Sequence, residues 1–128
     1  MKECPCGSAK LYSECCEPFH LGKEAETALA LMRSRYSAYA KRLPEYIQRT
    51  THPKSPHFEI NRKKWTKHIL NFCDTTEFVR LEILGYGEDW VHFIAHLKQG
   101  DEPVELKEKS RFERLHSNWR YLSAAIEK

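Results

Sequence analysis

Four of the five cysteines in this 128-residue chain lie within its first sixteen positions. Cys4 and Cys6 form C-x-C, eight residues intervene, and Cys15 and Cys16 follow as an adjacent pair. Neither close pair can bridge itself comfortably, so the sulfurs either form two long-range disulfides or share an ion. The shared ion is the better reading. Zn²⁺ takes four thiolates tetrahedrally at about 2.3 Å. A segment this short has little apolar surface to bury, so something else must hold it folded, and metal binding can supply that free energy directly. Four bound sulfurs leave no open coordination position, which makes such a site architectural rather than catalytic. The intervening residues suit a metal knuckle. Pro5 stiffens the first pair, and Gly7 and Ser8 permit a tight turn whose amides can donate to the thiolates. Lys10 offsets part of the charge, Tyr12 and Phe19 supply apolar cover, and His20 is a spare ligand expected at the knuckle's surface.

The motif Cys-Pro-Cys-Gly-Ser-x-Lys-x-Tyr-x-x-Cys-Cys resembles the SEC-C zinc motif, also found at the tail of the bacterial Sec translocation ATPase. That likeness implies that Cys4, Cys6, Cys15 and Cys16 are the zinc ligands. It departs from the motif at Ala9, where a glycine is usual.

Beyond residue 23 the chain must position this knuckle and build a core of its own. Ala25, Leu29, Met32, Tyr36, Tyr39 and Leu43 recur at helical spacing, which predicts a long helix over 24–42. Pro44 ends it and opens a short second helix through Arg49. Two prolines make 51–57 a loop. Asn61 is set to cap a third helix carrying Trp65, Ile69 and Phe72, with Cys73 as a small buried hydrophobe near its end. After Asp74 the period becomes two. Val79, Leu81 and Ile83 are expected on one face of the first strand, and Val91, Phe93, Ala95 and Leu97 on one face of the second. Strands over 104–115 and 119–126 follow, all joined by short turns and therefore antiparallel. The expected architecture is α+β: a zinc knuckle over 1–20, then a domain over 24–128 with three helices packed on a curved sheet of about four strands.

Charge and composition narrow the function. Twenty-one basic against eighteen acidic residues leave a net charge of +3, too mild for an evident nucleic-acid face. The group Arg62, Lys63, Lys64 and Lys67 reads best as a solvated helix face. No run is long enough to span a bilayer, and no apolar stretch follows the N-terminal charge as in a secretory signal. A cytoplasmic protein with reduced thiols is expected.

Leu31-Met32-Arg33-Ser34-Arg35-Tyr36-Ser37-Ala38-Tyr39 resembles a helix segment of the YchJ-like family of small bacterial proteins. Tyr46-Ile47-x-x-Thr50-x-His52-Pro53, Ser110-Arg111-Phe112 and Trp119-Arg120-Tyr121 extend the likeness over nearly the whole chain. The resemblance implies a nuclear transport factor 2-like cone with an internal cavity. Arg35, Tyr39, His52, Glu108 and Arg111 are candidates to line that pocket. Arg35 on the edge of an apolar stripe needs an acid, and Glu108, sharing a strand face with Leu106, Ser110 and Phe112, is its expected partner. His92 and His96 share a face opposite the core and are expected in solvent. No Ser-His-Asp set, glycine-rich phosphate loop or carboxylate metal cluster is present. The first expectation is therefore a non-enzymatic, zinc-stabilised adaptor with a protein partner. The second is a small-ligand binder or enzyme using the cone, and the third a nucleic-acid adaptor.

Overall fold

The period-two half of the chain forms one antiparallel sheet in the order β1-β2-β3-β4: Glu77–Tyr86, Trp90–Gln99, Glu102–Leu115 and Asn118–Ile126. The structure is a computed structural model, and its described residues are 3–126. Four helices precede the sheet: α1 (Glu17–His20), α2 (Ala28–Ala40), α3 (Pro44–Arg49) and α4 (Arg62–Asp74). The one-turn α1 occupies the expected connector, with Pro18 in its first turn.

The long helix is shorter than its apolar period. Thr27, in extended backbone, accepts a hydrogen bond from the Ala30 amide at 3.0 Å and starts α2 there rather than at residue 24. Asn61 caps α4 as expected, accepting from the Lys64 amide.

On β2, Val91, Phe93, Ala95 and Leu97 are all buried against α2. On β1, Val79 does not join Leu81 and Ile83. Pairing steps from Phe78–Leu97 to Arg80–His96, so Val79 is the extra residue of a bulge and is 48 % exposed. A bulge inverts the alternation on one side of it. Phe78 therefore turns inward, edge-on to Tyr36 and Phe72 at 5.7 and 5.6 Å.

A second cluster packs Ala38, Tyr46, Ile47, Trp65, Ile69 and Cys73 between α2, α3 and α4. Burial pushes the Cys73 thiol's pKa up, as befits a core residue. The loop after α3 clamps the outer strand. Tyr121 donates its amide to the Thr50 carbonyl, and the His52 amide donates to the Tyr121 carbonyl, both at 2.8 Å.

Candidate functional site: a cysteine knuckle and a cavity on one helix

The knuckle closes on itself first. The Cys4 amide donates to the Lys10 carbonyl at 2.8 Å, and Glu3 bridges Leu11. Gly7 takes φ +82°, and a Cβ there would lie 3.1 Å from the Leu81 carbonyl oxygen on β1. Glycine is thus required both by the turn and by its close approach to the sheet. Ala9 takes φ +67° without that freedom.

These turns bring the four sulfurs within 4.8 Å of one another. Cys6 and Cys15 are 3.5 Å apart, Cys15 and Cys16 3.9 Å, and all five cysteines are free. A regular tetrahedron with sulfur–zinc bonds of about 2.3 Å has edges of about 3.8 Å. The disulfide alternative is not taken, and the donor set fits a metal ion. Cys4, Cys6 and Cys16 are buried. Crowding drives the thiol acidities apart. The hydrogen bond from Cys16, with help from Ser8, lowers the Cys6 pKa to about 4, while the same bond and burial raise that of Cys16. Four sulfurs this close could all be thiolates only with a cation among them, and the cluster could hold one.

The knuckle is bonded to α2. Arg33 donates to the Cys6 carbonyl at 2.8 Å, Cys4 Sγ lies 3.6 Å from Ser37 Oγ, and Lys41 Nζ sits 4.1 Å above the Tyr12 ring. His20 is the coupling residue. Its Nε2 lies 2.8 Å from the Ser34 carbonyl, so that nitrogen carries the proton, and its Nδ1 accepts from the Tyr12 hydroxyl at 2.6 Å. Both ring nitrogens are engaged, so His20 is neither spare ligand nor surface residue. Burial lowers its pKa, which suits this neutral tautomer. Tyr46 donates to Ser34 Oγ at 2.6 Å, and that hydroxyl donates to the Leu31 carbonyl at 2.8 Å.

The next stripe of α2, carrying Met32, Arg35, Tyr36 and Tyr39, faces a cavity of about 430 Å³. Phe93, Leu106, Glu108, Ser110 and Tyr121 enclose it from the sheet, and Trp65, Ile69 and Phe72 from α4. His57, Glu59 and His68 also line it, with His57 and His68 exposed and His68 2.8 Å from Glu59.

Arg35 is 6 % exposed and does not pair with Glu108. Its Nη1 instead donates to the Ile47 carbonyl at 3.1 Å and to the Thr50 and Thr51 hydroxyls at 2.8 and 3.1 Å. The guanidinium stacks 4.5 Å from the Tyr121 ring. Glu108 makes no hydrogen bond or ion pair among the described residues, and burial raises its pKa. Burial also raises the pKa of Tyr36 and Tyr121 to about 12, and the buried Tyr36 hydroxyl has no hydrogen-bond partner among the described residues.

Arg35, Tyr39 and Glu108 thus share one cavity, whereas His52 and Arg111 lie outside it. His52 is buried in the loop, its Nδ1 accepting from the Lys54 amide at 3.0 Å and its Nε2 facing Glu113 at 3.6 Å. Arg111 alternates onto the exposed face of β3. Ser110 and Tyr121 line the cavity in their place. Ser110 was readable from its register with Glu108; Tyr121 came inward through a bulge that skips Leu122. His96 is not free in solvent: its Nε2 lies 2.9 Å from Glu82. Lys63, Lys64 and Lys67 are exposed on α4, and Arg62 bonds Gln48 Oε1. No helix among the described residues is long and apolar enough to cross a membrane.

A four-cysteine knuckle fused to an α+β cone defines a class of protein that known chains share. The model of the YchJ middle NTF2-like domain matches residues 27–124, and that of the SEC-C motif residues 2–18. A UPF0225 protein of Deinococcus radiodurans is 42 % identical, over 97 % of this chain and 89 % of its own. One from Streptomyces avermitilis is 39 % identical, over 93 % and 81 %. Among solved structures, a SEC-C motif containing protein from Rhodopseudomonas palustris superposes with a TM-score of 0.82 at 30 % identity, covering 98 % of both chains. Another from Psychrobacter arcticus gives 0.72 at 27 %, covering 98 % of this chain and 82 % of that one. The chain belongs to the YchJ-like family, whose relatives carry the name UPF0225 protein.

Proposed function

We propose that this protein is a small-ligand binder whose cone is braced by a structural zinc ion on Cys4, Cys6, Cys15 and Cys16. The observation that carries the reading is the cavity itself. Its volume of about 430 Å³ falls within the usual range for ligand sites, and an apolar lining with a few convergent polar groups is their usual character. Buried polar groups are normally satisfied inside the protein. The buried Tyr36 hydroxyl, without a partner among the described residues, is an exception, and the half-buried Glu108 carboxyl lines the same cavity without one. The zinc assignment draws on the four-sulfur donor set and its near-tetrahedral spacing.

An adaptor role has narrower support. Three of the four cysteines are buried, and beside the knuckle Leu21, 80 % exposed, is its main apolar contact. Two measurements test the proposal. Elemental analysis is expected to find one zinc per chain. An apolar fragment library, followed by amide shifts, is expected to move α2 and β3 together. Absence of such shifts with every fragment, alongside capture of a protein partner that Leu21→Ser abolishes, would favour the adaptor.

A further inference from the structure

We propose that the cavity takes a monocarboxylate with an apolar body, its carboxylate seated between Arg35 and Glu108; this rests on the ligand-binding reading above. Arg35 is a buried cation with no carboxylate paired to it among the described residues. Carbonyl, hydroxyl and ring partners soften that cost without supplying a counter-charge. Beyond the three bonds from Nη1 and a side-chain hydrogen bond with Tyr39, the five-donor guanidinium fork meets no carboxylate among the described residues, and such a fork matches one.

Glu108 lies in the same cavity without a partner. Its raised pKa favours the protonated form, which can donate one hydrogen bond to an anion. Arg35, Tyr39, Glu108 and Tyr121 all line this cavity, and the Arg35 guanidinium lies 4.5 Å from the Tyr121 ring, so its polar groups are gathered there. One fixed cation beside a carboxyl whose charged form burial disfavours suits a single negative charge better than two.

Most of the remaining wall is apolar and largely aromatic, with Thr51, Ser110, Glu59 and the exposed His57 and His68 as its other polar members. Phe72 and Phe78 meet edge-to-face at 5.6 Å, and Tyr39 meets Phe72 likewise at 5.5 Å. At about 30 Å³ for each heavy atom, the cavity holds a ligand of about 14 such atoms. That is the size of a bicyclic aromatic acid or a medium-chain aliphatic one.

The test uses the metal-loaded full chain, with 2-naphthoate and its neutral isostere 2-naphthamide, followed by calorimetry and amide shifts. The expected result is that the acid binds about tenfold or more tighter than the amide. Arg35→Lys should cut acid affinity by about tenfold while leaving the amide unchanged. Glu108→Gln keeps a donor without a charge and should bind the acid at least as tightly as wild type. If Arg35→Lys fails to fold, the acid–amide ratio in wild type and in Glu108→Gln still decides. Equal binding of acid and amide would overturn this inference and leave the ligand-binding reading standing. A marked loss of acid affinity in Glu108→Gln would also overturn it. Failure of both probes to shift cavity amides would remove the reading and the inference together.

Discussion

Two faces of α2 bury polar groups, and they treat them oppositely. On the face with Arg33, Ser34 and Ser37, polar groups meet partners: the Cys6 carbonyl, His20, Tyr46 and Cys4. On the face with Arg35, Tyr36 and Tyr39, the count does not close. Among the described residues Arg35 has no acid, Glu108 has no hydrogen-bond donor, and the Tyr36 hydroxyl has no partner. A buried polar group left unmade costs about 1–3 kcal/mol, so a fold keeps one only against some other gain. The closed face is architecture. The open face is where function should be sought.

The largest effect should come from the closed face. Chelating the metal, or Cys16→Ser, is expected to unfold the knuckle and lower global stability by about 3 kcal/mol or more. Metal analysis beside denaturant unfolding checks it; unchanged stability of a metal-free chain would mean the ion is not part of the architecture. Ser34→Ala should cost about 1–3 kcal/mol by stranding the Tyr46 hydroxyl. Equilibrium unfolding reads this directly.

Smaller effects belong to the open face and to the strained turn. The Glu108 pKa is raised by folding, so folding favours its protonated form. That stability is complete below the unfolded pKa, about 4.3, and is lost as pH rises through the raised folded value. Glu108→Gln should therefore lack this loss and gain on wild type toward neutral pH, as urea midpoints at several pH values would reveal. Ala9→Gly should stabilise by about 1 kcal/mol, because Ala9 holds a positive φ that favours glycine. A thermal scan of the metal-loaded variant is enough to check it.

The sequence made the knuckle legible because its chemistry is local. Cysteine type and spacing define the donor set, and no distant contact is needed to see it. The sheet was legible for the same reason: Val91 to Leu97 alternate without interruption. Val79 was misread because a bulge obeys the partner strand's register rather than the strand's own alternation. The helix start was misread because the apolar period runs on through Ala25, while the Thr27 side chain stops it. The expected Arg35–Glu108 pair shows where such reasoning ends. The charge on Arg35 and the face of Glu108 were both readable. That α3 and its following threonines would occupy Nη1 depends on how two helices pack. His20 escaped for a like reason: its partner on α2 lies fourteen residues away.

The contrast between the two faces reduces to two hydroxyls on tyrosines of similar burial. Tyr46 has a partner at 2.6 Å, and Tyr36 has none among the described residues. Equilibrium unfolding of metal-loaded Tyr46→Phe and Tyr36→Phe, measured side by side, puts the matter most directly. Tyr46→Phe should lose about 1 kcal/mol and Tyr36→Phe should gain about as much. Equal losses in the two would contradict the division into a closed face and an open one.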